Sequence, residues 1–373
     1  MTEATTTRHP SQRPHFAAWF EDRLVAAQSS LLRRAGWRPR VEPFIGYGAV
    51  GPGVPNRVRV LARVVLAPPH RGPATAGLPE PVPDRRGFRS YLTAQAPREA
   101  VRIRFAGTAV DVVADRGGYI DVDLDLPDGV ALAPGAHEAT LAPAGVPGAA
   151  VAAPVLLVDA ATPLGVVSDI DDTTMVTAVP RLFLAAWNTF VRHTSARRAV
   201  EGMPELYRRL AAAHPGAPFF YVSTGAWNTA RTLRAFLARH GYPAGPLLLT
   251  DWGPTNTGWF RSGPHHKDAC LARLMREFPR TRWLLVGDDG QHDPEIYARA
   301  TRRRPGRVAA VAIRELTTAQ QVLASGATTP AATRAQGDRA SGEVPYVGAG
   351  DGFALADGLA ARAPEVLPGD EAG

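Results

Sequence analysis

Residues 164–168, Leu-Gly-Val-Val-Ser, form a short apolar run that stops at Asp169-Ile170-Asp171-Asp172-Thr173. It reads as a buried strand that ends in carboxylates. Side chains two apart on a strand point the same way. Extended geometry carried past the strand end turns Asp169 and Asp171 toward one spot. Two carboxylates there repel unless a cation or a shared proton intervenes. In open α/β sheets, ligands bind at the carboxyl ends of the strands. The pattern predicts a Mg²⁺-assisted phosphoryl-transfer site, with one Asp as nucleophile and the other as general acid/base. The competing reading is an acidic strand-to-helix turn in which Asp and Thr only cap.

Two later strand ends favour the first reading. Phe219-Phe220-Tyr221-Val222 runs into Ser223-Thr224, and Trp283-Leu284-Leu285-Val286 runs into Gly287-Asp288-Asp289-Gly290, with Asp293 just beyond. Between them Lys267 opens an amphipathic segment, 266–278. A hydroxyl at a strand end can bind a phosphate oxygen, and a Lys offsets the charge of phosphate and attacking carboxylate. Hard oxygen ligands on a further strand suit Mg²⁺, which keeps several waters and few protein carboxylates.

The ordered set D-x-D-x-T, Ser, Lys and G-D-x-x-x-x-D resembles the haloacid-dehalogenase-type phosphohydrolase superfamily. Gly-Val-Val-Ser-Asp-Ile-Asp-Asp-Thr, Phe-Tyr-Val-Ser, Gly-Pro-Leu-Leu-Leu-Thr-Asp-Trp-Gly, His-His-Lys and Val-Gly-Asp-Asp-Gly-Gln-His-Asp-Pro-Glu-Ile-Tyr narrow it. They resemble the phosphatidate phosphatase family typified by the yeast actin-patch-associated enzyme, over about 155–315 and more faintly 42–155. The resemblance implies Mg²⁺-dependent hydrolysis of phosphatidate to diacylglycerol through an aspartyl-phosphate. It implies Asp169 as nucleophile and Asp171 as acid/base. Thr173, Ser223 and Lys267 would contact phosphate, and Asp169, Asp171, Asp288 and Asp293 would surround the metal. Two features depart from the family. Its serine is followed by Asn-Ser-Pro-Trp, whereas Ser223 here precedes Thr-Gly-Ala-Trp. Asp288-Asp289 stands where Asp-Ser is usual, which leaves Asp289 and Asp293 both open as the residue supporting the metal.

At 373 residues and 45% hydrophobic content the chain has room for about two domains. One cysteine, Cys270, excludes an intrachain disulfide framework and fits a reducing compartment. No apolar run reaches the ~18 residues of a spanning helix, and the N-terminus lacks a signal-peptide apolar core. The expected location is the cytoplasm, with peripheral contact at the inner face of the membrane. The net charge of +7 is uneven: 1–40 hold seven Arg against three acids, and 330–373 hold three Arg against seven. A basic surface attracts nucleic acid or anionic lipid. No nucleic-acid module is visible, so phosphatidate or another phosphorylated lipid at an anionic membrane surface is the expected partner.

Residues 1–14 read as disordered and 15–41 as an amphipathic helical segment. There Phe16, Trp19, Phe20, Leu24, Ala27 and Leu31 are spaced either for a membrane interface or for the protein's own core. Residues 42–155 alternate with period two and predict a small antiparallel β-sandwich. Within it Asp121, Asp123 and Asp125 suggest a solvated strand face rather than a calcium site. Gly46-Tyr47-Gly48-Ala49-Val50-Gly51 matches a dinucleotide fingerprint, but Pro-Gly-Val-Pro follows it, so no helix is available and no dinucleotide is expected. Residues 156–325 predict the catalytic domain, an α/β doubly wound parallel sheet with strands near 164–169, 217–223, 246–250, 282–287 and 308–314. Residues 326–373 read as a mostly disordered tail.

Only 50 residues separate Thr173 from Ser223, and 44 separate Ser223 from Lys267. Neither interval has room for a separate cap, so the site should stay open to large or membrane-embedded substrates. Loop 251–265, with Trp252, Trp259, Phe260 and Arg261, should overhang it. Two alternatives remain: a soluble phosphatase acting on a phosphoprotein or small phosphomonoester, and a non-catalytic lipid- or protein-binding module on this fold.

Overall fold

A computed structural model describes residues 16–68, 94–127, 129–176, 198–250, 263–317, 320–321 and 344–369. The chain divides into two compact units, one ending at Asp159 and the other beginning at Ala160. Among the described residues no helix is long and apolar enough to cross a membrane.

The first unit opens with helix α1 (Phe16–Arg34). Nine strands follow: β1 (Arg38–Pro43), β2 (Gly46–Val50), β3 (Arg57–Ala67), β4 (Ala94–Gln95), β5 (Ala100–Phe105), β6 (Thr108–Val113), β7 (Tyr119–Asp125), β8 (Gly135–Pro143) and β9 (Val151–Asp159). Hydrogen bonding joins them into one sheet along β1-β3-β2-β9-β8-β5-β6, with β4 and β7 also on β3. The sheet is mixed, not antiparallel as expected, because β9 returns parallel to β2 from Gly46↔Val155 to Val50↔Asp159. The intervening strands supply the long crossover that parallel partners need. Val58, Val60, Ala62, Val64 and Leu66 enter one core with Val101, Ile103, Phe105 and Leu141.

The sequence features flagged in this unit have structural explanations. Asp125 pairs with Arg57 at 2.6 Å, and Asp121 and Asp123 both face Arg59 on the neighbouring strand. The alternating acids thus belong to a cross-strand charge ladder. Gly46 and Gly48 lie in β2, where a Cβ would fall 2.3 Å and 2.8 Å from the Arg59 and Arg57 carbonyl oxygens. Close approach to β3 is what these glycines serve. On α1, Ser29 Oγ donates to Gln95 O at 3.2 Å, Arg33 pairs with Glu99, and Leu32 packs on the core, while Leu31 is exposed. The side chains of Phe16, Trp19, Phe20 and Leu24 lie outside the described residues, as do 1–15.

The second unit holds a six-stranded parallel sheet. Its strands are β10 (Leu164–Asp169), β11 (Phe219–Ala226), β12 (Leu247–Thr250), β13 (Arg282–Asp288), β14 (Val308–Arg314) and β15 (Tyr346–Ala349). They lie in the order β12-β11-β10-β13-β14-β15. Sequence order therefore reverses between β10 and β13, which makes the carboxyl end of that pair the topological switch point where such sheets bind ligands. Its α-helices among the described residues are α2 (Met203–Ala213), α3 (Ala230–Arg239), α4 (Gly263–Glu277), α5 (Asp293–Arg303) and α6 (Gly352–Arg362). Helices α4 and α5 pack together, as do α2 and α6. Trp283, Tyr207, Tyr221, Phe220 and Phe278 are the largest fully buried side chains here.

The expectation of a mostly disordered 326–373 is wrong over 344–369. Strand β15 adds a parallel edge to β14, from Val311↔Tyr346 to Arg314↔Ala349. Helix α6 is capped by the Asp351 carboxylate, which accepts from Ala354 N at 2.9 Å, and it buries Leu355, Ala356 and Leu359. The physical reason is that i, i+4 burial and a good N-cap outweigh an Ala- and Gly-rich composition. Residues 322–343 lie outside the described residues. So do 177–197, inside the first expected cap-free interval, and 251–262, most of the expected aromatic loop.

Docking of α6 depends on Gly352, whose missing Cβ would fall 2.2 Å from Gly202 C and Met203 N. Backbone cannot yield as a side-chain tip can, so Gly352→Ala should cost at least the about 1–3 kcal/mol typical of overpacking. Chemical denaturation should show a lower midpoint, and an unchanged midpoint would mean that α6 does not need this close contact.

Candidate active site

Strand β10 delivers Asp169 to its carboxyl end, 2% exposed. Strand β13 delivers Asp288 to its own, fully buried. Asp293 opens α5 and is equally buried. Carboxylate oxygens of these three lie within 4.8 Å of one another. Gly287 makes this possible, since a Cβ there would sit 2.6 Å from Asp293 Oδ2. Helix α4 brings in Lys267, whose Nζ lies 2.6 Å from Asp169 Oδ1 and 2.5 Å from Asp293 Oδ1.

The charges do not balance. One ammonium faces three carboxylates. Burial works against the Lys267 charge, but Asp169 and Asp293 outweigh it and hold the amine above its ordinary value. Burial pushes the Asp169 carboxyl well above the usual range; Lys267 opposes this, and Asp293 and Asp171 add to it. Asp288 is raised in the same way, by burial and then by Asp293 and Asp169. Burial first, and then the neighbouring carboxylates, outweigh the lysine at both groups. Asp169 Oδ2 and Asp293 Oδ2 are buried and accept no hydrogen bond from the described residues. Orphaned hard oxygens around uncompensated negative charge fit a divalent cation such as Mg²⁺.

The other expected residues fall around this cluster. Asp171 is half-buried, and its Oδ2 accepts from Ser223 Oγ at 2.8 Å. Ser223 sits at an irregularity between Val222 and Ala226 in the pairing of β11 with β12, and its Oγ accepts from Gly225 N at 2.9 Å. Such bulges re-aim side chains next to sites. Thr173 is fully buried, and its hydroxyl is directed at Asp288 Oδ2 at 3.4 Å. It touches a carboxylate rather than open space. Asp288 Oδ1 accepts from Gly290 N at 2.7 Å. Asp289 turns away, accepting from Leu316 N at 2.7 Å and from Gln321 Nε2 at 3.0 Å. Of the two aspartates the sequence left open, Asp293 is the one beside Asp169 and Asp288.

Sequence reasoning missed the groups that steady the Asp169–Thr174 loop. Tyr242 Oη donates to Thr174 O at 2.8 Å, and Tyr207 Oη is hydrogen-bonded to Ser168 Oγ. Nothing in a lone tyrosine marks such a role; only the fold brings 207 and 242 under this loop.

Residues 164–315 match the family described as phosphatidate phosphatase APP1, catalytic domain. That segment belongs to this family. It is 29% identical over 152 residues to phosphatidate phosphatase APP1 of Saccharomyces cerevisiae, covering 40% of this chain and 26% of the relative. It is 25% identical over 162 residues to the uncharacterized protein C29B5.04c of Schizosaccharomyces pombe, covering 41% of this chain and 25% of that one. The chain therefore spans about a quarter of the length of the curated relatives it matches. Among solved structures, the carbohydrate acetylesterase XAC1771 from Xanthomonas citri overlaps 82% of this chain and 74% of its own. At 11% identity and a TM-score of 0.26 the likeness is too slight to bear on fold or chemistry.

Carboxyl groups that hold protons more tightly folded than unfolded stabilise the fold below about pH 4, and lose that contribution as pH rises through their folded values. The metal-free protein should therefore give up stability toward neutral pH through Asp169 and Asp288. Mg²⁺ competes with those protons, so it should raise the melting temperature more at pH 7.5 than at pH 5. Thermal melts with and without MgCl₂ at both values measure this. An equal shift at the two values, or none, would refute cation binding at this cluster.

Proposed function

We propose that this chain is a Mg²⁺-dependent phosphatidate phosphatase, hydrolysing phosphatidate to diacylglycerol and phosphate through an aspartyl-phosphate on Asp169. The observation that carries the reading is the convergence of Asp169, Lys267, Asp288 and Asp293 at the switch point, within a segment of the phosphatidate phosphatase APP1 catalytic-domain family. The strand order supports reading the fold as a haloacid-dehalogenase-like doubly wound sheet with a minimal cap.

The residues divide the work as follows. Asp169 attacks phosphorus; its O–P bond forms as the bond to the glyceride oxygen breaks. Asp171, half-buried at the mouth, gives its proton to that oxygen, so the alcohol leaves neutral. Water then attacks the acyl phosphate, Asp171 takes its proton, and phosphate leaves with both carboxyl groups restored. Lys267 keeps Asp169 oriented and, with three N–H donors, has one free of its two carboxylate partners for a phosphate oxygen. Ser223 orients Asp171 through the 2.8 Å bond and stands beside the phosphate path. Asp169, Asp288 and Asp293 would hold Mg²⁺, which when bound offsets the negative charge of phosphate and nucleophile.

Asp169→Asn should abolish turnover with the fold intact, and Asp171→Asn should lower it about 10²–10⁴-fold. Asp288→Ala should raise the Mg²⁺ requirement steeply. Asp289→Ala should lower the melting temperature while leaving the Mg²⁺ requirement near wild type, because its carboxylate holds Leu316 and Gln321. Assays on phosphatidate vesicles across Mg²⁺ concentrations, and in excess EDTA, measure the activities and the Mg²⁺ requirement, and thermal melts measure the stability of Asp289→Ala. Full activity in EDTA, or in verified Asp169→Asn protein, would sink the mechanism.

The membrane side of the proposal rests on the basic N-terminal segment and on a lipid substrate. Vesicles containing anionic lipid should bind better than neutral ones, and less so as salt rises, since exposed charges are screened over about 10 Å at 0.1 M. Deleting 1–35 removes Leu32, Ser29 and Arg33, which pack on the first unit. Lower stability with parallel loss on phosphatidate and on a soluble phosphomonoester would assign α1 to the core. Selective loss on vesicles would assign it to the membrane. High activity on the soluble ester with none on phosphatidate would favour the soluble-phosphatase alternative.

A further inference from the structure

Arg314 closes β14 with a buried guanidinium that none of the roles above uses. It is the register partner of Asp288 on β13 and is 5% exposed. Its Nη1 donates to the carbonyl oxygen of Asp172 at 2.5 Å. Its Nε reaches Gly350 O, just past β15, at 3.4 Å, and its own carbonyl accepts from Asp289 N at 3.1 Å. Burial disfavours the charged guanidinium, and Asp172, Asp288, Asp289 and Asp351 around it act in the opposite direction.

The bonded carbonyl belongs to the most constrained residue of the catalytic loop. Asp172 has φ +58°, in the left-handed region that non-glycine residues seldom adopt. It lies between Asp171 and Thr173, inside a turn closed by Asp172 N to Met175 O at 2.9 Å and Met175 N to Ile170 O at 3.2 Å. If this turn relaxes to an ordinary conformation, the Asp171 carboxyl swings with it. A role for Arg314 in touching substrate is disfavoured, because the guanidinium is enclosed and its Nη1 donor is committed to backbone.

We propose that Arg314 is a positioning residue: by pinning the Asp172 carbonyl it holds the left-handed turn and fixes the direction in which Asp171 meets the leaving group. Because Nε also reaches Gly350, the C-terminal strand contributes to the same brace. The catalytic consequence rests on the phosphatase reading; the pinning does not.

Arg314→Gln and Arg314→Lys in the full chain separate the possibilities. Amide hydrogen exchange at Asp172, Thr174 and Met175 should quicken at least about tenfold in Arg314→Gln, with α4 unchanged. Turnover of an alkyl phosphate monoester such as glycerol phosphate should fall about 10–100-fold, within the range of lost general-acid help, with KM nearly constant. The kcat/KM for p-nitrophenyl phosphate, which ends at formation of the phosphoenzyme and so omits the shared step in which Asp171 takes water's proton, should fall less than about threefold, because this leaving group departs without a proton. Arg314→Lys keeps a donor but not the planar fork and should lie between wild type and Arg314→Gln in both readouts. Unaltered exchange overturns the pinning, and equal loss of kcat/KM on the two esters overturns the link to Asp171. If Arg314→Gln does not fold, Arg314→Lys decides alone, since unchanged exchange and an unchanged ratio of the two rates would overturn the proposal. If wild-type protein hydrolyses phosphatidate but neither ester, unchanged phosphatidate turnover in Arg314→Gln overturns the link to Asp171; if it hydrolyses none of the three, the phosphatase reading fails, and the exchange measurement still decides the pinning.

Discussion

The Lys267 ammonium, 2.6 Å from Asp169 and 2.5 Å from Asp293, is the interaction on which the second unit's site depends. Three carboxylates and one ammonium lie together, all of them buried. Removing one partner from a buried ion pair typically costs about 3–5 kcal/mol, because the other charge is left uncompensated. Here compensation is already short by design of the residue set, since one positive charge faces three acids. The cluster is therefore poised for a cation, and the Asp169 and Asp288 carboxyls are raised by burial and then by neighbouring carboxylates. The stability of the metal-free protein and the affinity for metal are two sides of that imbalance.

The parallel sheet makes the imbalance tolerable. Strands β10 and β13 are hydrogen-bonded neighbours, so Asp169 and Asp288 reach the same end of the sheet without any long side chain having to span a gap. Their backbones are fixed by a fully buried ladder beneath them. Trp283 fills the space over Gly165, where a Cβ would fall 2.4 Å from the indole ring. Rigid strands hold acids that would otherwise move apart. The loop that carries Asp171 has no such ladder; beyond the backbone bonds of its own turn and isolated bridges to Met175 and Ala199, it is held by side chains: Tyr207 at Ser168, Tyr242 at Thr174, and Arg314 at Asp172.

Those three supports come from distant parts of the chain, and one of them leads to the C-terminus. β15 pairs with β14 up to Arg314↔Ala349, and His214, at the end of α2, meets Val366 O at 2.7 Å. The C-terminal strand and helix are thus built into the sheet that carries the site. Gly202 and Gly352 permit this by letting two backbones approach where any Cβ would collide.

Much of this was legible in the sequence. Apolar runs ending in Asp169, Ser223 and Asp288 mark the strands to within three residues, because a buried parallel strand must be apolar throughout and its polar residues can only gather at the end. The chemistry of the cluster follows from residue type alone: carboxylates and a lysine at strand ends. Helix α6 was also legible, in the Asp351 cap and the Leu355–Leu359 spacing, but composition masked it. What sequence could not decide is which of Asp289 and Asp293 faces the site. Both follow the same strand, and the outcome turns on Gly287 leaving room for one while Leu316 and Gln321 hold the other. Nor could sequence show that Thr173 faces Asp288 or that Arg314 pins Asp172. Those partners lie 115 and 142 residues apart, and only the order of strands in the sheet brings them within a hydrogen bond.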